Sequence, residues 1–346
     1  MTRRRKLDWP ESAGRLAVRV TRKQLHPAAM AAATASPIEE PWAVAFSGGA
    51  DSLMLLLLIW ALWPERRKKL TALHFNHRLR GAASDRDERF CREVAVGLGV
   101  RLRVGKWTKR VAGASEAEAR AARHAFFGAE LSRLQARVLW LGHQQDDIAE
   151  TMFMRIARGS GTAGLAAPRP VQTMSDARLH LRPLLSLKKS ELLAYLREER
   201  LPWREDRSNA RGVYLRNRVR RDVLPVWQHA SDDRDAIAGA ALSRELLDED
   251  DVALEQWLSE IDPLTKRGEL NLRRLAGRPR AIVRRALQQW LAVNAVGKRF
   301  SRQAVSALLN DIVQRRVTRH SLGSNGFAVL TKSRLRFLPA RRKLSN

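Results

Sequence analysis

The chain has one cysteine, Cys91, so it can form neither an intrachain disulfide nor a cysteine-only metal site. That scarcity favours a reducing compartment. Long apolar runs are also missing. The longest, Leu53 to Trp63, would span roughly 16 Å as a helix, about half of a bilayer core. It follows Asp51 and stops at Pro64, the pattern of a buried helix rather than a membrane span. Arg3, Arg4, Arg5 and Lys6 precede no apolar signal region, so the chain reads as cytoplasmic with no membrane partner. Acidic residues are few. Against 64 Lys plus Arg stand 36 Asp plus Glu, a formal net charge of +28. Self-repulsion of that size asks for a polyanion, with nucleic acid the first candidate and an anionic membrane surface the second. There is no repeat period.

What is present suits a folded protein of two domains. The 346 residues exceed one usual core, and 45% hydrophobic with 29% charged residues excludes disorder throughout. Residues 1–40 are basic, then Ala-rich (Ala28 to Ala35), and end in Pro37 and Pro41. They are expected to be a mobile tail, with a basic arm on RNA phosphate as the other reading. From Trp42 the pattern changes. Trp42–Phe46, Leu70–Asn76, Val100–Trp107, Arg137–Gly142 and Leu179–Leu185 read as strands. Between them Ser52–Trp63, Asp85–Gly97, Ser115–Gln135 and Asp146–Arg158 read as helices. Such alternation predicts an α/β domain over 41–230: a doubly wound parallel sheet with ligands at the C-terminal strand ends. Residues 231–346 are expected to form a smaller, mainly helical domain. It has helices near 278–293 and 301–316, and a hairpin turning at Ser324-Asn325-Gly326.

The first strand runs into Phe46-Ser47-Gly48-Gly49-Ala50-Asp51-Ser52 and a strong helix. Two glycines let successive N–H groups face an anion, and the helix N-terminus adds its dipole. Ser47 and Ser52 offer hydroxyls, while Asp51 repels phosphate unless a cation such as Mg²⁺ intervenes. No Gly-Lys-Ser/Thr follows, so this is not a Walker A loop. A plain Gly-Gly turn capped by Asp51 or Ser52 is the alternative. The fourth strand ends in His143-Gln144-Gln145-Asp146-Asp147-Ile148-Ala149-Glu150-Thr151. On a helix from Gln144, His143, Asp147 and Thr151 or Glu150 share one face, which could bind metal or hold ATP. A solvated capping aspartate is the bland reading.

Ser-Gly-Gly-x-Asp-Ser after a first strand resembles the PP-loop of the ATP-pyrophosphatases. The ordered run of further motifs resembles one family within them, the tRNA(Ile)-lysidine synthetases. Those motifs are His74-Phe75-Asn76-His77-Arg78-Leu79-Arg80, Glu118-Ala119-Arg120-Ala121-Ala122-Arg123-His124 and the His143–Thr151 segment with Arg158-Gly159-Ser160-Gly161. Arg182-Pro183-Leu184-Leu185, Glu205-Asp206-Arg207-Ser208-Asn209 and Arg216-Asn217-Arg218-Val219-Arg220 continue the order. The resemblance covers about residues 42–230. His124 stands where the family usually has Tyr, Arg207 where it has Pro, and Gln144 where it often has His.

The resemblance implies a C–N bond-forming ligase with ATP and Mg²⁺ as cofactors. Its partners would be tRNA(Ile) with a CAU anticodon and free L-lysine, and a homodimer stays open. Expected catalytic residues are Asp51, His143, Asp147 and Arg216, with His143 or a carboxylate as base and Arg216 on the phosphate charge. ATP is expected on Ser47, Gly48, Gly49, Ala50, Asp51, Ser52 and Phe75, and its Mg²⁺ on Asp51 and Asp147. Arg218, Arg220, Arg221, Arg284 and Arg285 are candidates for RNA, or simply solvated helix faces. The alternatives are another PP-loop tRNA-modifying enzyme, a PP-loop ligase for a small acid, and a non-catalytic RNA-binding protein on a degenerate ATP fold. The lone cysteine weighs against thiolation, and the charge against a small acid.

Overall fold

The computed structural model describes residues 7–78, 81–107, 116–205, 215–294, 300–323 and 326–340. The elements in chain order begin with helices α1 (Trp9–Arg19) and α2 (Pro27–Ala35). An alternating series follows: β1 (Trp42–Ala45), α3 (Ala50–Leu62), β2 (Leu70–Asn76), α4 (Ala82–Leu98), β3 (Arg101–Lys106), α5 (Glu116–Leu134), β4 (Val138–Trp140) and α6 (Gln145–Ile156). Then come α7 (Thr162–Leu165), β5 (Val171–Thr173), β6 (Leu179–Leu181), α8 (Lys189–Glu198), α9 (Leu215–Arg218), α10 (Leu224–Ala230) and α11 (Ala236–Ile261). The chain continues with β7 (Leu270–Asn271), α12 (Arg280–Asn294), α13 (Arg302–Val313), β8 (Thr318–Ser321), β9 (Gly326–Leu330) and β10 (Arg334–Pro339). Its contacts divide it into two units, Met1–Asp248 and Glu249–Asn346. The boundary therefore falls later than the expected 230, because α10 and the start of α11 pack with α6: Leu224, Ile237 and Ala240 are buried with Ala149.

The first unit holds a six-stranded sheet in the order β3-β2-β1-β4-β6-β5. All neighbours run parallel except β5 against β6. Period-two alternation sorts the β1 side chains: Trp42 and Val44 join one cluster, Ala43 and Ala45 the other. On the first face lies α3, whose residues Leu53 to Ile59 are all at most 1% exposed. It is apolar on every side because β1 and helices α1 and α8 pack around it, and Trp60 Nε1–H reaches the Leu98 carbonyl at the end of α4 at 2.9 Å. On the second face α5 buries Phe127 and Leu131 against Leu73, Leu139 and Leu141. The topology reverses between β1 and β4, so the β1–α3 turn opens at the switch point.

The expected tail is in fact part of this core. Trp9, Ala13 and Leu16 form an apolar stripe at helical spacing, and all three are buried. Asp8 caps α1 by accepting from the Glu11 N–H at 2.9 Å. Trp9 lies over Gly97 of α4, where a Cβ would collide with the indole. Ala-rich α2 buries Ala29 and Ala33, and the His26 N–H donates to the Pro183 carbonyl at 2.9 Å. The basic residues 1–6 lie outside the described residues.

The second unit packs α12 and α13 on an antiparallel sheet ordered β7-β10-β9-β8. Ile282, Ala286, Leu287 and Trp290 of α12 are fully buried against Leu330 and Leu335. The expected hairpin is the β8–β9 pair, widened by β10 and β7. Ser324 and Asn325 of its turn lie outside the described residues.

Candidate active site

The β1–α3 turn is shaped by its glycines. Gly48 has φ +86°, and a Cβ there would press on Cys91 Sγ at 3.1 Å and Phe90 at 3.2 Å. Cys91 is thus packing beneath the loop, and burial pushes its thiol pKa up. The Ser47 hydroxyl accepts from the Gly49 N–H at 3.3 Å and meets the Ser52 hydroxyl at 3.0 Å. No side chain caps the N-terminus of α3, which leaves its first N–H groups for an anion.

Gly142 brings the second motif to the first. A Cβ on it would lie 3.0–3.1 Å from the backbone of Asp51 and Ser52, so only glycine lets the end of β4 approach so closely. Beyond it α6 starts with a reciprocal cap: the Gln144 N–H donates to Asp147 Oδ2 at 2.9 Å, and Gln144 Oε1 accepts from the Asp146 N–H at 2.6 Å. Gln144, where the family often has His, is therefore a cap. Asp146 also reaches the Lys189 N–H at 2.9 Å and so ties α6 to the start of α8.

A cavity of about 720 Å³ opens above these turns. Ser47, Gly49, Ala50, Asp51, Ser52, Phe75 and His143 line it, as do Arg120, Arg123, His124, Arg182, Lys189, Trp203 and Arg220. The Lys189 ammonium lies 2.5 Å from Asp51 Oδ1. Burial pushes the Asp51 carboxyl above its ordinary value; Lys189 and Arg220 pull against this, and Asp147 adds to it. Asp147 and Arg216 stand beside the cavity in a buried knot. Arg216 holds Asp147 and also Glu150 Oε2 at 2.6 Å, while Arg220 holds Glu150 Oε1. Glu150 is 0% and Asp147 6% exposed, so the aspartate is not a solvated cap. Burial opposes the Asp147 charge, but Arg216 above all keeps its carboxyl below the ordinary range. A π-turn over Val219–Val223 follows α9 and sets this pair of arginines toward α6.

His143 is half-buried, and desolvation pushes its pKa down to about 3, with Arg182, Arg216 and Arg120 adding to the effect against Asp147. Arg182 Nε–H donates to its Nδ1 at 3.2 Å. An arginine nitrogen can only donate, so the ring proton sits on Nε2 and His143 is a neutral donor. That geometry removes the base role expected for it.

The RNA candidates separate. Arg218, Arg220, Arg221 and Arg284 are all exposed, with Arg221 2.6 Å from Asp222, but Arg220 also lines the site. Arg285 is a correction: it is 8% exposed and held by Asp251 and, at 2.5 Å, by Glu255, so it braces α12 against α11. The Asp206–Asn209 part of the fifth motif, with Leu79 and Arg80, lies outside the described residues.

Sequence reasoning assigned no role to Lys189, Arg182, Arg120 or Arg123. A legible sign did exist for Lys189: a Lys pair opening a helix stands against the helix dipole unless an acid holds it. Among the described residues no three His, Cys, Asp or Glu side chains gather into a metal site.

A doubly wound sheet whose switch-point loop carries Ser-Gly-Gly-Ala-Asp-Ser and leads into an uncapped helix is a phosphate-binding architecture of the PP-loop kind. The PP-loop domain family matches residues 22–227, and the chain belongs to that family, whose domain implies ATP binding. Its relatives include tRNA(Ile)-lysidine synthases of Geobacter sulfurreducens, 38% identical over 225 residues, and of Solibacter usitatus, 44% identical over 183 residues. These matches cover 63% and 53% of this chain but 46% and 40% of the relatives, so the chain matches less than half of their length. A U34-tRNA thiolase of Methanococcus maripaludis with a [4Fe-4S] cluster shares the fold. It has TM-score 0.52 and 17% identity, over 69% of this chain and 79% of that one. Among the described residues no helix is long and apolar enough to cross a membrane.

Proposed function

We propose that the chain is a tRNA(Ile)-lysidine synthase, which uses ATP to join free L-lysine to carbon 2 of the wobble cytidine in a CAU anticodon. The observation that carries the reading is the convergence of the phosphate loop and the Gly142–His143 turn on one cavity. Relatives named for that activity, 38–44% identical, support it.

In this reading the triphosphate lies on Ser47–Ser52, and the two serine hydroxyls, now bonded to each other, turn to its oxygens. The cytidine carbon 2 oxygen attacks the α-phosphorus, and the bond to pyrophosphate breaks. Lysine's neutral ε-amine then attacks carbon 2. The carbon–oxygen bond breaks, AMP departs with that oxygen, and the amine's proton passes to a carboxylate, because His143 offers only a donor. Arg216 acts by position: it fixes Asp147 and Glu150 rather than reaching out to phosphate. Most of the acceleration comes from holding reactants in line in a dry, charged site.

Mg²⁺ fits the residues present. Asp51, on the cavity wall, is the hard oxygen donor that would hold the ion; Asp147 stands behind it with its oxygens on the Gln144 N–H and Arg216, and would act on the ion through its charge, as it already does on Asp51. Mg²⁺ commonly takes one or two carboxylates plus substrate phosphates. Bound there, the ion would neutralise phosphate charge. The exposed arginines Arg218, Arg221 and Arg284 suit salt-dependent contact with tRNA backbone.

The protein, Mg-ATP, labelled lysine and unmodified tRNA are incubated, and the RNA is treated with mild alkali. Alkali removes lysine held as a terminal ester but not lysine bonded to a base. Alkali-stable label that vanishes with Asp51→Ala, while tRNA affinity stays within a few fold, is the expected result. Its absence with competent tRNA sinks the reading and leaves the fold intact.

A further inference from the structure

One wall of the cavity carries the Arg182 guanidinium, which is bonded to no carboxylate among the described residues. Arg182, at the end of β6, is 6% exposed. It donates Nε–H to His143 Nδ1 at 3.2 Å, Nη1–H to the Arg169 carbonyl at 2.8 Å and Nη2–H to Gln172 Oε1 at 2.9 Å. All three acceptors are uncharged, and a guanidinium has five N–H bonds, so one on each terminal nitrogen remains. Other arginines withdrawn from solvent in this unit are paired: half-buried Arg216 with two carboxylates, and buried Arg244 with Glu245 and Asp248. Arg66 lacks one, but it lies over the Trp42 ring and bonds four carbonyls.

Arg120 of α5 sits beside Arg182, close enough that burial and this neighbour together push the Arg182 pKa down to about 10. His124 faces the same cavity, and burial with Arg120, Arg123 and Arg182 pushes it to about 4. A buried cation with open donors and a second cation next to it is stabilised by an anion in place.

We infer that Arg182, supported by Arg120, is a binding site for the carboxylate of the free amino-acid substrate, distinct from the phosphate loop on β1–α3. This rests on the proposed function. The two N–H bonds left on one planar guanidinium can meet the two oxygens of a carboxylate. The triphosphate already has its own donors on the loop and in Lys189. A fixed carboxylate gives the enzyme a way to choose an amino acid over a simple amine of the same length.

The same alkali-stable labelling reads the test, with lysine, lysinamide and cadaverine as competing amines. The wild type is expected to favour lysine over both by about 30-fold or more in kcat/KM, the scale of a buried hydrogen-bonded charge pair. Arg182→Gln should lower that preference to within a few fold, by raising the lysine KM. Arg182→Lys, which keeps charge but not the fork, should recover only part. Arg120→Gln changes an exposed residue, so it tests the wall without a buried substitution, and should lower the preference by several fold. If both Gln variants keep the wild-type preference, the assignment is overturned. A raised KM for ATP or tRNA with the preference intact also overturns it and gives the wall to a phosphate instead. No base-linked label from the wild type with any amine would refute the parent reading itself.

Discussion

Replacing Arg216 by Met removes the main counter-charge of two buried carboxylates while keeping the length of the side chain. Asp147 and Glu150 have side chains 9% and 0% exposed. Breaking a buried pair from one side costs about 3–5 kcal/mol. The lower end applies, because Arg220 still holds Glu150 and lies 3.7 Å from Asp147. A loss of about 3 kcal/mol in a unit of this size lowers Tm by roughly 6–12 °C.

The pH dependence gives the argument its sign. In the wild type the Asp147 carboxyl is held below its ordinary value despite burial. Its contribution is complete above the unfolded pKa of about 4 and is lost as pH falls through the lower folded value. In the variant burial prevails, so the carboxyl takes up its proton at higher pH and the penalty of the bare charge is relieved. Urea unfolding followed by tryptophan fluorescence should show the deficit largest at pH 7 and shrinking steadily toward pH 3. Trp42, Trp63 and Trp140, with ring centroids 5.0–5.6 Å apart, report on this unit. A deficit under about 1 kcal/mol at pH 7 refutes the buried-knot reasoning. One that does not change with acidification refutes the assignment of the charge to Asp147.

Gly142→Ala should weaken binding of a non-hydrolysable ATP analogue and cost about 1–3 kcal/mol, because the new methyl meets backbone rather than a flexible side chain. Gly161→Ala, where a Cβ meets nothing within 4 Å, is the control and should melt as the wild type does. In the second unit the two adjacent arginines should part company. Arg284→Ala should leave stability unchanged and lower the salt dependence of tRNA binding by about one unit of slope. Arg285→Ala, which leaves Asp251 4% exposed without this partner, should destabilise the unit by about 3 kcal/mol in calorimetry. Equal effects of the two on RNA binding would contradict their placement.

Local chemistry made much of this protein legible in its sequence. Alternation of short apolar runs with amphipathic stretches gave β1–α3–β2–α4–β3–α5–β4–α6, because burial on two sheet faces imposes those periods wherever such a sheet forms. The phosphate loop was readable for the same reason: glycine, serine and aspartate act there through their own backbone and their nearest neighbours. The alanine stretch of α2 carried no such signal, since a run of alanine is apolar all round and names no face. It became structure only because the Pro183 turn and β5 offered a surface, just as Gly97 offered the slot for Trp9.

Pairings between distant residues were decided by tertiary structure alone. Lys189 meets Asp51 across 138 positions and Arg216 meets Glu150 across 66. No local pattern distinguishes Arg285, braced against acids, from Arg284 in solvent; the helix turns by about 100° between them. His143 was marked by the sequence as a residue of the site, but which of its nitrogens carries the proton was set by Arg182, 39 residues away. The sequence thus determined which chemical groups the site would contain. Folding determined which charges they would face, and charges in a buried site decide whether a side chain acts as acid, base, donor or brace.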